Sequence, residues 1–425
     1  MTADTGLSQI FRPCELLLPN TPEPEVWCAV ACDQYTSQPD YWRRVEELTK
    51  GKPSTAHLIL PELYLDEPDV AGRIEAIHRT MEDYLKRGIL APGGFGFVYV
   101  ERTLSDGRLR RGLVGAVDLE AYDYRPGAQT PVRATEKTVT ERIPPRLMVR
   151  QGAPVELPHV LLLADDRERC LVEPFEREKR GMKLLYDYPL MQGGGRVRGY
   201  LVDAAGQRRV ADALRRLADP GRAARLYGDG SGPPLVIAVG DGNHSLAAAK
   251  ESYERLKASM PAEKALCHPA RYAMAELVNL QDDSLVFQPI HRVLFGIEPE
   301  KALASLRQAV GAGSGGCGQR FECVFKGGRE TIVVSNPSSK LTVGTLQNFL
   351  DDYTAANGGR VDYIHGDDVV EELAGQKGNI GFLLPPMEKN LLFETVIADG
   401  VLPRKTFSMG HAADKRFYLE ARRIR

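Results

Sequence analysis

The sequence has no long apolar run. The longest, Val26–Cys32 and Leu235–Val239, reach at most about seven residues, against the roughly 20 that a membrane helix needs. It also has no excess of one charge: 55 Lys and Arg face 57 Asp and Glu, for a net charge of −2. A protein that grips nucleic acid through a broad basic surface needs positive excess to displace counterions, so nucleic acid is set aside as a partner. The seven Cys are odd in number and scattered, which excludes a disulfide framework and fits reduced thiols in a cytoplasm. The N-terminal stretch around Asp4 and Arg12 lacks the apolar segment of a secretory signal. No His-x-x-x-His pair and no second Cys pair beside Cys28 and Cys32 argue for zinc, and neither internal repeats nor low-complexity tracts are present.

What is there is ordinary globular composition, 43% apolar and 26% charged, in a length that predicts a normal core. Short apolar runs alternate with amphipathic stretches, which predicts a mixed α/β fold. Strands are predicted over Val26–Cys32, His57–Leu60, Val160–Leu163, Val197–Val202 and Leu235–Val239, with a hairpin turning at Asp106-Gly107. Helices are predicted over Pro39–Lys50, Pro68–Arg87 ahead of Gly88, and Arg208–Leu217. Tyr227–Pro234 reads as a loop, and beyond Gly311–Gly318 a second hairpin through Lys326–Gly328 begins a further α/β stretch. The chain divides on this reading into an N-terminal α/β region 1–230, a segment 231–300 that completes the core, and a C-terminal α/β region 301–425.

The most informative segment is Leu235–Val239 followed by Gly240-Asp241-Gly242-Asn243-His244-Ser245 and an amphipathic helix. A helix start presents unpaired N–H groups and partial positive charge, so a strand-turn-helix of this kind is an anion site in waiting. Gly240 and Gly242 let backbone approach a ligand, Asp241 can ligate Mg²⁺ or take a proton, and His244 can bind a phosphate oxygen. The plain alternative is that Asp241 or Asn243 caps the helix and the glycines only make the turn.

Asp241-Gly-Asn-His-Ser-Leu-Ala247, with Asn279 and Pro289-Ile-His291-Arg292 downstream, resembles the family catalogued as domain of unknown function 1015. The likeness extends to Pro53–Leu58, Arg111-Gly112, Arg133-Ala-Thr-Glu136-x-Thr138, Glu141-Arg142 and Pro403–Ser408. The Asp-Gly-x-His turn is also similar to that of the ParB/sulfiredoxin-like superfamily, which includes free-serine kinases. The resemblance implies a ParB/sulfiredoxin-like core with added mixed-sheet elements, in which the glycine turn holds nucleotide phosphates. It departs at Ser245, where the family usually places Arg, and at Thr135, where many members have His.

The reading that follows is an Mg²⁺-dependent phosphotransferase using ATP or ADP on a small hydroxyl-bearing metabolite, free serine first. Asp241, Glu136 and His244 form its catalytic set, with Asp241 also the metal ligand. Phosphate would be held by Gly240, Gly242, Asn243, Ser245, Arg133, Arg111, His291, Arg292 and Lys405. Glu136 is the candidate base toward the acceptor hydroxyl and Arg133 the candidate anion clamp. The competing reading is a protein that holds a nucleotide or small anion as a regulatory ligand without turnover, which the loss of the turn's Arg favours.

Overall fold

The computed structural model describes residues 9–65, 67–138, 143–228, 232–311 and 318–425. Asp4, Cys317, the Glu141-Arg142 pair, most of the Gly311–Gly318 connection and the middle of the Tyr227–Pro234 loop fall outside them. The chain forms two compact units, one of residues 1–285 with 410–425 and one of 286–409. Both mix helix and strand, so the α/β class expected from the alternation of patterns is the one found.

The first unit is built on a ten-stranded mixed sheet. Its main strands are β1 (Val98–Thr103), β2 (Leu109–Asp118), β3 (Tyr122–Asp123), β4 (Val132–Ala134), β5 (Leu161–Ala164), β6 (Lys183–Pro189), β7 (Arg196–Leu201), β8 (Ile237–Asp241) and β9 (Tyr272–Asn279). They lie in the order β6-β7-β1-β2-β9-β5-β8-β4-β3, with Phe11–Arg12 paired to β2 off this path. Side chains alternate across a strand, and the two faces feed separate cores. Tyr99, Leu113 and Val117 enter one, together with Val210 and Leu214 of α4 (Ala204–Leu217) and Leu246 and Tyr253 of α5 (Asn243–Ala258). Val98, Val100, Val114 and Ala116 enter the other, against Ile74, Ile77 and Met81 of α2 (Val70–Lys86). Helix α1 (Pro39–Thr49) packs Trp42 and Val45 into a third, smaller cluster.

Two predicted strands are not strands. Val26–Cys32 is a largely buried irregular segment whose backbone groups are met partly by side chains and partly by one isolated bridge to Arg416: Thr55 Oγ1 accepts from Ala29 N at 2.9 Å and donates to Trp27 O at 2.7 Å, Ser54 Oγ donates to Val26 O at 2.7 Å, and Ala31 N donates to Lys415 O at 2.7 Å. Apolar runs need burial, and pairing with hydroxyls satisfies the backbone without a ladder. His57–Leu60 begins at the last residue of a 3₁₀ turn over Thr55–His57 and continues without a strand partner among the described residues. A central strand, β9, went unpredicted because Glu276 interrupts its apolar pattern. That carboxylate is fully buried and accepts from Arg110 at 2.8 Å and from the Tyr418 hydroxyl. Arg110, beside Arg111 near the start of β2, is therefore a core residue.

The second unit holds a five-stranded antiparallel sheet of Arg320–Phe325, Gly328–Val333, His291–Phe295, Arg360–Ile364 and Asn379–Leu383. The hairpin through Lys326–Gly328 and the helices Pro299–Ala309, Thr342–Asn357, Asp367–Ala374 and Asn390–Asp399 match the predicted pattern.

Candidate functional site

Strands β4 and β8 run parallel, with Val239 opposite Ala134. Their C-terminal ends therefore emerge side by side, Thr135-Glu136 from one and Asp241-Gly242-Asn243 from the other. Ligands of open α/β sheets bind outside such strand ends. The two ends are tied together. Thr135 Oγ1 donates to Val239 O at 2.6 Å, and Asn243 Oδ1 accepts from Thr135 N at 3.2 Å. Asn243, expected to bind phosphate, thus spends its side chain as a brace.

The turn is shaped by its glycines. The β8 register slips between Val239 and Asp241, which puts Gly240 at an irregularity in the ladder. Gly242 has φ +81°, and a Cβ there would lie 3.0 Å from Val160. Gly242→Ala is accordingly expected to cost at least about 1–2 kcal/mol, since the left-handed region penalises any Cβ and Val160 leaves little room. Urea denaturation measures it, and an unchanged midpoint would contradict this geometry. Among the described residues no side chain caps α5, and Asp241 Oδ1 accepts from Gly242 N at 2.8 Å. The capping alternative weighed from the sequence therefore does not describe this helix start, whose N-terminal end faces the strand ends with its partial positive charge.

Four residues that sequence reasoning did not select converge here. Lys415 Nζ lies 3.1 Å from Asp241 Oδ2. Burial works against the Lys415 ammonium, but the carboxylates of Asp241, Asp33 and Glu136 outweigh it and raise its pKa. Lys415 thus lies in the field of three carboxylates, including both predicted catalytic acids. At Asp33 burial opposes ionisation, yet the Gln34 hydrogen bond and the charges of Arg146 and Lys415 hold its pKa below the usual carboxylate value. His159 is lowered, chiefly by burial, so its imidazole is neutral at pH 7. Its Nε2 lies 2.8 Å from Ser245 Oγ, and its ring packs on Phe417 with centroids 4.5 Å apart. Arg146, on α3 (Ile143–Arg150), pairs with Glu62. Lys415 and Phe417 are two apart on one chain segment, a spacing that puts both on one side. Asp33 ends the apolar run misread as a strand, which was the available signal for it.

The other predicted residues divide. His244 is the second residue of α5 and half-buried. Arg133 is a correction. Its guanidinium donates to Thr130 O at 2.8 Å and Pro233 O at 3.1 Å, carbonyls that precede β4 and β8, so it points to the opposite ends of the strands from the turn. Arg111 pairs with Glu176 at 2.7 Å. His291, Arg292 and Lys405 belong to the second unit. There His291 accepts from Leu384 N at 3.0 Å and lies 2.8 Å from Asp367, while Arg292 is fully buried and donates to Arg404 O at 2.8 Å. Both have structural work of their own. Lys405 is exposed, with φ +54°.

No helix among the described residues is long and apolar enough to cross a membrane. No curated protein matches the chain in sequence. Among solved structures, the chain is similar to a conserved hypothetical protein from Pyrococcus furiosus at 10% identity and TM-score 0.33, covering 69% of this chain and 89% of that one. It is similar to a free serine kinase in complex with AMP at 10% identity and TM-score 0.34, covering 69% and 86%. A third similarity is to SbnI from Staphylococcus aureus, in a C-terminally truncated form, at 8% identity and TM-score 0.34, covering 73% and 81%. The family model described as protein of unknown function, DUF1015, matches residues 12–353, and the chain belongs to that family.

Proposed function

We propose that this protein is a nucleotide-using phosphotransferase whose acceptor is the hydroxyl of a small metabolite. The observation that supports it most is the meeting, at the ends of two parallel strands, of an uncapped helix start with Glu136, Asp241 and Lys415. Phosphoryl transfer asks mainly for positioning and charge neutralisation, which these groups can supply. The Gly240–Ser245 turn and the first N–H groups of α5 take the phosphates, with Lys415 and His244 on their oxygens. Glu136 accepts the proton of the acceptor hydroxyl as its oxygen bonds to the terminal phosphorus. The bond from that phosphorus to the bridging oxygen breaks, and the shortened nucleotide leaves with the electron pair.

Among the described residues no group of three or more His, Cys, Asp or Glu could hold a metal. Mg²⁺ is commonly bound by one or two carboxylates together with substrate phosphates, and Asp241 and Asp33 fit that lesser role. When bound, Mg²⁺ would neutralise phosphate charge. The regulatory alternative draws on Ser245, whose hydroxyl faces His159 where the family places a cation.

The test follows ³¹P NMR of Mg²⁺ with ATP or ADP and L-serine or L-threonine. A new phosphomonoester signal is expected, and Glu136→Gln should slow its growth at least about 100-fold, the scale of a lost general base. Nucleotide binding without product from a panel of hydroxyl acceptors would favour the regulatory reading. Undiminished turnover by Glu136→Gln would contradict the assigned base.

A further inference from the structure

A cavity in the first unit adjoins the turn: Ser245 and Ala248 of α5 line it together with His159 and Phe417. Its remaining wall is dominated by Leu58, Leu60, Leu65, Met81 and Val149. The charged side chains it touches are already matched. Arg146 pairs with Glu62, and Arg150 pairs with Glu156 at 2.7 Å while Arg422 holds the same carboxylate at 2.6 Å. His159 is neutral and engaged with Ser245. The cavity thus has a polar mouth at the turn and an apolar body, with its charges cancelled in place. A small zwitterion such as free serine would leave that body unfilled. An anionic group inside it would give up hydration for cations that already have partners.

We propose that this cavity binds the apolar body of the acceptor, so that the substrate is an amphipathic hydroxy compound, its hydroxyl at the turn and an aliphatic or aromatic side chain against Leu58, Leu60, Leu65, Met81, Val149 and Phe417. Ser245 is central to the assignment. An Arg there would add an unmatched charge at the cavity mouth, whereas the Ser245 hydroxyl, closed onto His159, adds none. The placement of the hydroxyl end rests on the phosphotransferase reading; the apolar end rests on the cavity alone.

The experiment titrates the full chain with L-serine, L-threonine, 3-hydroxyleucine and 3-phenylserine by calorimetry, with and without Mg²⁺-ADP. Affinity is expected to rise about fourfold per buried carbon, hence about 60-fold from L-serine to 3-hydroxyleucine, which has three more carbons. Leu65→Trp and Val149→Trp, two partly exposed wall positions, should each flatten the series by filling the cavity. Equal or falling affinity along the series in protein that binds nucleotide would overturn the proposal. So would an unchanged slope in both tryptophan variants that remain folded by circular dichroism. If no nucleotide binds but the slope persists without it, the phosphotransferase reading fails while the apolar site stands.

Discussion

Lys415→Met is expected to weaken phosphate binding at the turn by about 10- to 100-fold, the usual worth of a charge-assisted hydrogen bond. The reason is the position of the ammonium, 3.1 Å from Asp241 and within the field of Asp33 and Glu136. Without it, three carboxylates remain around a site that must take up anionic oxygens. A second Asp241→Asn change removes part of that repulsion, so the double variant should bind nucleotide better than the sum of the single losses predicts. Contacting residues of this kind couple by about 0.5–3 kcal/mol. Strict additivity would mean that Lys415 and Asp241 act on different ligands or on none. Stability should carry a matching alkaline signature. The folded pKa of Lys415 is raised, so its contribution is complete below the unfolded value near 10.4 and is lost as pH climbs through the folded one. The variant should lack that loss.

The second large effect concerns the buried polar network beneath the site. Glu420 is fully buried, with Tyr186 OH donating to its Oε1, and its Oε2 has no hydrogen-bond partner among the described residues. Burial is the main cause that pushes its pKa to about 7, with Glu276 adding to it. A raised folded pKa favours the protonated acid. The stability this gives is complete below the unfolded value of about 4.3 and disappears as pH rises through about 7. Glu420→Gln, which has no charge to bury, is expected to gain about 3 kcal/mol relative to wild type between pH 5 and pH 8.5. His159 acts in the opposite direction, because a lowered histidine pKa costs stability as pH falls below about 6.5. Comparing variant with wild type at each pH removes its contribution. Parallel stability curves for the two proteins in guanidinium would show that Glu420 does not titrate in this range.

The turn was legible because its signal is local: an apolar strand, two glycines around an acid, and an amphipathic helix within one window. Thr135-Glu136 was legible only through resemblance, since three residues of strand β4 carry little pattern of their own. Asp33, Arg146, His159 and Lys415 were not legible, because they reach the site through pairing and packing between segments remote in sequence. Alternation along Lys415–Tyr418 could have hinted at it, with Lys415 and Phe417 turned to the site and Arg416 and Tyr418 to the buried network. Arg133 misled for a related reason. It stands two residues from Thr135, but strand geometry and its bonds to Thr130 and Pro233 commit it elsewhere. Charge beside a motif says nothing of direction until the strand's ends are known.

The central claim is that the Gly240–Ser245 turn holds the phosphates of a nucleotide. Thermal unfolding of wild type and Asp241→Ala, each with ATP, ADP, CTP and GTP in the presence of Mg²⁺, tests it most directly. A nucleotide at about 100 times its Kd adds about 2.7 kcal/mol of stability. The account predicts such a gain for at least one adenine nucleotide in wild type and its loss in Asp241→Ala. No gain with any nucleotide in folded, monodisperse protein, or an equal gain in both, would contradict it.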